Sequence, residues 1–287
     1  MTGFDLSTIS DCYIGSTQAS EIYYSDTKVW PSVDYSREYL TIEPLANGKL
    51  TYLMRAASGN LYYSTDKQNW TSSSSGSINL TNGQNVYLKG NLVPKIVTDS
   101  MAFGGTINID SDSNFNISGN IMSLLYGDNF IGKTSLSDKN SAFHALLQHN
   151  TYVVNAKNLV LPATILSKHC YSEMFWGCSS LKTAPKLPAT TLAEYCYQSM
   201  FIGCSSLKTA PVLPAKTLVQ YCYSNMFNNC TRLNYIKCLA TNISARECTY
   251  YWTYQITGTG TFVKDSSMLS WTTGASGIPS GWTVHNV

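Results

Sequence analysis

One motif in the sequence has the residue types and spacing of a nucleotide-binding loop. Residues 127–134, GDNFIGKT, match the pattern G-x-x-x-x-G-K-[ST] at its four fixed positions: Gly127, Gly132, Lys133 and Thr134. In such a loop the backbone N–H groups surround the phosphates, the lysine reaches the β and γ oxygens, and the hydroxyl holds magnesium. Nucleotide binding is therefore one function that the sequence leaves open.

The neighbours of this motif fit a phosphate-binding loop poorly. The loop requires a buried parallel strand before it and a long helix after it. Residues 123–126, SLLY, could form the strand, but residues 135–141 are rich in turn formers, and repeats follow where the next strand of such a fold would stand. We therefore expect residues 127–134 to be a surface loop, and nucleotide binding is the weaker alternative.

Other patterns that could support catalysis or metal binding are incomplete. Residues 110–114, DSDSN, begin like a calcium loop, but Phe115 stands where glycine is needed and Ile121 where glutamate is needed, so we expect a polar turn. The sequence has no C-x-x-C, G-x-S-x-G or H-E-x-x-H motif, and no metal-ligand spacing joins its histidines: His144, His149, His169 and His285. We expect a protein that is not an enzyme, without catalytic residues, metal or cofactor.

Most of the cysteines recur at a fixed interval. Two series repeat every 26 residues: Cys170, Cys196, Cys222 and Cys248, and Cys178, Cys204 and Cys230. Residues that recur in register in a stacked repeat lie above one another, where a thiol behaves as a small apolar side chain. The odd total of nine and an intracellular site of assembly also favour thiols. We expect buried, reduced cysteines.

The segment that holds these cysteines, residues 159–240, is one motif written three times. Each copy carries Leu-Pro-Ala, Cys-Tyr, Met-Phe and a second Cys, and the copies begin at Pro162, Pro188 and Pro214. A period of about 20 to 50 residues is typical of a stacked solenoid, in which no repeat can bury its apolar face alone. The spacing predicts a strand at residues 206–210, a helix at residues 191–200, and left-handed backbone at three positions: Gly177, Gly203 and Asn229.

These copies resemble the BspA-like leucine-rich repeats of gut-bacterial surface proteins and of the phages that infect such bacteria. The unit that carries the resemblance is LPATTLAEYCYQSMFIGCSSLKTAP, residues 187–211, together with its two neighbours. The chain has Ser-Met-Phe where the commoner form has Ala-Phe. The resemblance implies a leucine-rich-repeat solenoid whose strand-built face binds proteins or glycans.

The N-terminal residues 1–37 are predicted to be an attachment or oligomerisation segment. Residues 12–31 read as a short hairpin, which is too small to be stable alone and must pair with something else. The order Gly-Ser-Thr, Ile-Tyr-Tyr and Lys-Val-Trp-Pro resembles N-terminal segments of phage tail and fibre proteins. We expect three residues of this segment to dock onto other virion proteins: Tyr23, Tyr24 and Trp30.

Residues 38–120 alternate apolar and polar side chains between turn signals. Six short strands are predicted, at residues 39–42, 50–53, 61–64, 78–80, 86–89 and 106–109. Asn-Gly and Gly-Asn pairs lie between several of them. This spacing indicates a β-sandwich or a small barrel, with residues 72–77 as a flexible loop.

Two further segments are expected to close the ends of the repeats. Residues 121–158 are interpreted as a connector and N-terminal cap, in which Phe143, the pair Leu146-Leu147 and Asn150 echo the repeat two residues out of step. Residues 241–287 are interpreted as a C-terminal cap with strands at 260–263 and 281–284. The predicted fold class is mixed and β-rich: an N-terminal β-hairpin and β-sandwich domain, then a short leucine-rich-repeat solenoid with capping repeats.

Composition excludes several classes of partner. The charge is balanced, with 19 basic and 17 acidic residues, which argues against binding to nucleic acid. No apolar run reaches the roughly 18 residues of a membrane helix, so no membrane insertion is expected. The first residues, MTGFDLSTISDCYIG, lack the features of a signal peptide. A virion protein assembled in the host cytoplasm fits that absence.

The repeats are expected to present a binding face at eight positions: Lys182, Thr183, Lys186, Lys208, Thr209, Asn234, Tyr235 and Lys237. We expect a non-enzymatic phage virion structural protein, a tail or head fibre or a decoration protein. Its repeats would attach to a host cell-surface glycan or protein. A homo-oligomer, in particular a trimer, is implied by resemblance to fibres. A BspA-like adhesin on the bacterial cell surface is the first alternative.

Overall fold

The computed structural model describes residues 33–73, 75–96 and 105–287, together with the backbone of four short strands nearer the N-terminus. The chain is β-rich and forms several sheets, none of which closes on itself. This overturns the small barrel that the strand spacing left open.

The four N-terminal strands form two antiparallel pairs. β1 (Tyr13–Ile14) pairs with β2 (Thr17–Gln18), and β3 (Ile22–Tyr24) pairs with β4 (Thr27–Trp30). The predicted hairpin is therefore confirmed at the level of the backbone. The side chains of the predicted docking residues Tyr23, Tyr24 and Trp30 lie outside the described part of the chain.

Eight strands between residues 40 and 120 pair antiparallel with one another in two sheets. They are β5 (Leu40–Pro44), β6 (Gly48–Met54), β7 (Leu61–Ser64), β8 (Thr71–Ser73), β9 (Ser75–Leu80), β10 (Val86–Gly90), β11 (Ile107–Ser111) and β12 (Phe115–Asn120). One sheet has the order β12-β5-β10-β7-β8, and the other has the order β11-β6-β9. All six predicted strands are confirmed.

The loop predicted at residues 72–77 is wrong. Most of it belongs to β8 and β9, which pair with β7 and β6. The serine and glycine residues of this segment have low strand propensity, so the sequence does not indicate strands here. The strands form because β7 and β6 have backbone N–H and C=O groups that need hydrogen-bond partners. β12 was also missed. It packs so closely on the preceding chain that a Cβ at Gly119, where φ is +76°, would stand 1.9 Å from the carbonyl oxygen of Tyr39.

β12 connects the two sheets to the repeats. It pairs antiparallel with β5, and parallel with β13 (Val153–Asn155) and β14 (Leu159–Val160). Between β12 and β13 lie the short helix α1 (Ser123–Tyr126) and a 3₁₀ turn (Gly127–Asn129). A second 3₁₀ turn, Tyr35–Arg37, precedes β5. Buried apolar residues form one continuous cluster from Leu40 to Trp282.

Each repeat contains a ribbon of tight turns instead of the predicted helix. In the first copy, every second residue donates its N–H to the carbonyl three positions back, as Cys170 does to Ser167 and Ser172 to His169. The residues between them donate to the next copy, as Tyr171 does to Cys196. The same alternation continues through the later copies, so the helix predicted at residues 191–200 is wrong.

Left-handed backbone recurs every fourth residue along these ribbons. In the first copy φ is positive at His169, Glu173 and Gly177, and equivalent positions repeat in the later copies. The left-handed conformation predicted at Gly177, Gly203 and Asn229 is confirmed, with φ of 78°, 69° and 59°. A left-handed non-glycine residue costs about 1–2 kcal/mol. Hydrogen bonds and ring stacking between copies offset that cost.

Two columns of buried rings run through the stacked copies. Phe175, Phe201 and Phe227 lie with ring centroids 5.4 and 5.8 Å apart. The second column consists of Phe143, Tyr171, Tyr197, Tyr223 and Trp252. Each stacked pair contributes about 0.5–1.5 kcal/mol beyond burial. One copy alone would expose both faces of its rings, so the stack stabilises itself.

The N-terminal end of the stack is closed by a copy that is two residues longer than the others and by β11. Phe143 donates its N–H to Cys170, an offset of 27 residues where the later copies have 25, which places its ring on Tyr171. On the other side of this layer, Ile109 of β11 donates its N–H to Leu146, 2.7 Å away. The sheet that contains β11 is therefore hydrogen-bonded directly to the first layer of the stack.

The C-terminal end is closed by a parallel sheet. β15 (Tyr235–Cys238), β16 (Thr261–Lys264) and β17 (Thr283–Asn286) pair in that order, which confirms strands close to the predicted residues 260–263 and 281–284. The strand predicted at residues 206–210 is wrong, because only a single bridge, Thr209 to Tyr235, forms there.

The last ribbon contains a residue whose replacement should stabilise the protein. Gln255 is exposed at φ +59°, in the column that Gly177, Gly203 and Asn229 occupy in the earlier copies. We expect Gln255→Gly to raise the free energy of unfolding by about 0.5–1 kcal/mol, because glycine adopts this conformation without strain. Gln255→Val should lower it by about 1–2 kcal/mol. Urea unfolding of the three proteins would contradict the assignment if valine and glycine had the same effect.

Candidate functional site

The predicted binding face is built from equivalent positions on stacked copies. Lys182, Lys208 and Asn234 occupy one position of the repeat, and all three are exposed. The N–H of Asn234 donates to the carbonyl of Lys208, 2.9 Å away, and Lys182 donates in the same way to Val154. Parallel bridges align the following residues, Asn155 with Thr183 and Thr209 with Tyr235. Six of the eight predicted residues therefore occupy two equivalent positions of the repeat, and backbone pairing joins the second and third copies at both positions.

The other two predicted residues lie elsewhere on this edge. Lys186 lines a cleft of about 340 Å³ together with Tyr35, Pro162 and Pro188. Lys237 is half-buried within β15. These positions recur once per copy but carry different residue types, such as Val212 at the position of Lys186. The eight residues do not form one continuous row.

This edge of the repeats carries positive charge only. Residues 179–190, 205–216 and 231–240 contain four of the predicted lysines, together with Lys216 and Arg232, and no aspartate or glutamate. Within the described part of the chain, Lys216 is the one cation of this set with an ion-pair partner, Asp265, whose pKa it holds well below the usual range. The remaining cations are free to meet an anionic partner.

A second repeated surface escaped the sequence analysis. His169, Tyr195 and Tyr221 stack with their ring centroids 4.6 Å apart, on the outer side of the turn ribbons. Lys168 lies over the Tyr195 ring and Arg246 over the Tyr221 ring, at 5.2 and 5.8 Å. The signal in the sequence is an aromatic residue directly before Cys170, Cys196 and Cys222. Burial, with Lys168 nearby, lowers the pKa of His169 to about 4, so this ring is neutral at pH 7.

The cysteines form buried columns, as predicted. The eight that the structure describes are buried free thiols, and Cys12 lies outside its described residues. In one column each thiol reaches a carbonyl of the preceding copy, as Cys204 does to Phe175 at 3.1 Å. Burial raises the pKa of every one of these thiols, to about 12 for Cys170 and Cys222. Thiols with raised pKa values are poor nucleophiles, so these residues serve packing.

The motif that resembles a phosphate-binding loop has the wrong surroundings. The preceding residues form α1 instead of a strand, and residues 130–141 form turns where a long helix is needed. Gly127 and Gly132 have φ of 53° and 76°. Lys133 lies over the Tyr126 ring, and the carbonyl of Thr134 accepts the N–H of Thr164. Neither the strand nor the long helix that positions phosphates adjoins residues 127–134.

The other sites considered from the sequence are also explained by local structure. The calcium-like residues 110–114 form the end of β11 and the turn to β12, where the Asp112 carboxylate accepts the N–H of Lys49 at 2.6 Å. Among the described residues no three histidine, cysteine or acidic side chains are grouped to hold a metal ion. In the same part of the chain, every helix is too short or too polar to cross a membrane.

No protein-family model, curated protein sequence or solved structure matches this chain.

Proposed function

We propose that this chain is a non-enzymatic attachment protein whose stacked repeats form a leucine-rich-repeat solenoid. The preceding sheets act as a β-sandwich spacer, and the N-terminal strands dock onto other proteins of a phage virion. The protein is then a tail or head fibre or a decoration protein, assembled in the host cytoplasm, and a homo-oligomer such as a trimer. The solenoid attaches to a glycan or protein of the host surface.

The observation that supports attachment is the aligned rows of Lys182, Lys208 and Asn234, and of Thr183, Thr209 and Tyr235. Neighbouring strands in a ladder lie about 5 Å apart. A backbone hydrogen bond joins Asn234 to Lys208 in this way, and the 26-residue period places Lys182 at the equivalent position of the preceding copy. Like charges at such spacing destabilise the fold slightly. A row of cations without acidic neighbours is therefore a feature that folding does not require, and it suits an anionic or hydroxyl-rich surface.

Attachment is tested by charge reversal on the full chain. We expect Lys182→Glu with Lys208→Glu to weaken binding to a panel of intact gut-bacterial cells and their capsular polysaccharides by about tenfold or more, because both charges meet the partner. Raising the ionic strength from about 0.05 to 0.5 M should weaken binding of the unaltered protein as well. Biolayer interferometry and cell pull-down measure both effects.

The matched control reverses two exposed lysines away from the repeats, Lys49→Glu with Lys95→Glu, so that the change in net charge is the same. Equal loss in both double variants would mean that overall charge, and not the repeat edge, drives binding. If the Lys182→Glu, Lys208→Glu variant bound with wild-type affinity, the assignment of this edge as the binding face would be wrong.

The virion and the bacterial surface are distinguished by location. We expect antibodies against the chain to label particles that sediment as virions in lysates of the producing cells. The BspA-like adhesin is the second candidate, supported by the same repeats. Labelling of intact cells, without labelled particles, would favour the adhesin and overturn the virion assignment.

A further inference from the structure

A cleft in the N-terminal half of the chain lies apart from the repeat edge. It has a volume of about 450 Å³ and is bounded by β10, by the residues before β8, and by α1 with its 3₁₀ turn. Its walls combine aromatic and polar side chains: Tyr62, Trp70, Lys89, Asn91, Tyr126 and Asp128. Sites for small molecules have volumes of about 300–1,000 Å³ and a similar mixture of lining groups.

The polar groups of the cleft are held in place by one another. Lys89 Nζ lies 2.8 and 3.0 Å from the two carboxylate oxygens of Asp128, and 4.0 Å from the centre of the Trp70 ring. The Tyr39 hydroxyl donates to the same carboxylate at 2.6 Å. The Trp70 indole N–H donates to the carbonyl of Lys67, which fixes the orientation of the ring. These contacts therefore orient the Lys89, Asp128 and Trp70 side chains without a ligand.

The charges of the cleft cancel. The Lys89 side chain is only 14% exposed, and Asp128 neutralises its ammonium group, whereas the Asp128 side chain is 63% exposed. A carboxylate can accept about four hydrogen bonds, so Asp128 keeps acceptor sites for a ligand beside Lys89 and Tyr39. Asn91 adds an amide that donates and accepts. The site suits a ligand that carries several hydroxyl groups and no net charge.

The aromatic rings of the cleft indicate that the ligand also has an apolar surface. Tyr39 packs edge-on against Trp70 with ring centroids 5.0 Å apart and so supports the Trp70 ring, which lines the cleft together with Tyr62 and Tyr126. Aromatic rings bury apolar C–H surface while their polar edges stay hydrated. A pyranose ring presents C–H groups on one face and hydroxyls around its rim. We infer that this cleft binds a neutral pyranose unit, through aromatic contact with Trp70 and hydrogen bonds to Asp128 and Asn91.

A nucleotide fits the cleft poorly, although Gly127 of the phosphate-loop motif lines it. The one buried ammonium group is already paired with Asp128, and Lys133 lies over the Tyr126 ring outside the cleft. A polyphosphate would therefore meet an uncompensated carboxylate. Lys89 and Tyr39 hold the pKa of Asp128 below its usual range, so the carboxylate stays ionised through neutral and mildly acidic pH.

The test uses the full chain and four probes offered singly: the methyl glycosides of glucose, galactose, mannose and N-acetylglucosamine. We expect at least one to bind, detected by saturation-transfer NMR and calorimetry. Trp70→Ala should weaken that binding by about tenfold or more, since aromatic contact supplies much of the buried area. Asp128→Asn, which keeps the shape of an exposed side chain, should weaken it as well. Thermal unfolding confirms that each variant is folded.

Trp176→Ala is the matched control, because this half-buried tryptophan contacts His149 in the repeats, away from the cleft. It should leave sugar binding unchanged. Binding of none of the four sugars, tighter binding of glucuronate or ADP than of any neutral sugar, or unchanged binding in both cleft variants would overturn the inference. The Lys182 and Lys208 charge reversals should not change sugar binding in the cleft. A negative result for sugar binding is therefore distinguishable from a negative result for attachment through the repeats.

Discussion

Raising the pH from about 8 to about 10 is expected to unfold this protein, because its buried thiols cannot ionise in the folded state. The fold raises the pKa of all eight described cysteines, to about 12 for Cys170, Cys222, Cys230 and Cys238. It raises those of Cys178, Cys196, Cys204 and Cys248 as well. In the unfolded chain the same thiols ionise near about 8.5.

The direction of the effect follows from these pKa values. Below about pH 8 the thiols are protonated in both states, and stability does not depend on them. Above it the unfolded chain releases protons that the folded chain keeps, so each thiol lowers the free energy of unfolding by about 1.4 kcal/mol per pH unit. By pH 10 the loss is about 2 kcal/mol per thiol, and the sum over the fully shifted thiols is comparable to the 5–15 kcal/mol typical of a folded protein.

Urea unfolding at several pH values between about 7 and 9.5, with a reductant present, measures the slope of stability against pH. Cys204→Ala is the control, because it removes one thiol from the middle of a column. It should make the slope shallower by about 1.4 kcal/mol per pH unit, whatever its effect at pH 7. A slope that Cys204→Ala does not change would contradict the burial of this thiol.

Trp252→Ala is expected to lower the free energy of unfolding by about 3–5 kcal/mol, as for large aromatic residues removed from a core. Trp252 is fully buried where the last ribbon meets the C-terminal sheet. Its ring stacks on Trp271 at 5.5 Å and contacts Tyr223, Phe227 and Phe262. Its indole N–H donates to the carbonyl of Gly277 at 2.8 Å.

The comparison with Trp252→Phe separates packing from the hydrogen bond. Phenylalanine keeps part of the ring but leaves the Gly277 carbonyl without this donor, so we expect a loss of about 1–3 kcal/mol. Chemical denaturation monitored by circular dichroism measures both variants. If the alanine variant were as stable as the phenylalanine variant, the cap would not depend on the ring, and the end of the stack would be held by the parallel strands alone.

The helix predicted in each repeat fails because two structures share its apolar spacing. Leu192, Cys196 and Met200, at steps of four residues, would lie on one face of an α-helix, and residues at that step also lie on one side of a ribbon of four-residue turns. Local sequence cannot separate these cases. The ribbon wins because its alternate N–H groups bond to the neighbouring copy, as Tyr171 does to Cys196, whereas a helix would use those groups internally.

The sequence by itself determined whatever depends on period and alternation. The interval of 26 residues places cysteines and rings in columns, since identical copies stack in register, and alternation of apolar residues located six strands between residues 40 and 120. Glycine and asparagine at 177, 203 and 229 indicated left-handed backbone, because few other residues adopt it at low cost.

Only the tertiary structure decided where backbone hydrogen bonds go and which distant side chains meet. The partners of β8 and β12, the ribbon at residues 191–200 and the junction of β11 with the first repeat all depend on strands or copies far along the chain. The cleft likewise joins Trp70 and Lys89 to Asp128, residues that no local pattern connects. Contacts of this kind depend on the packing of whole elements, and a short window of sequence does not encode them.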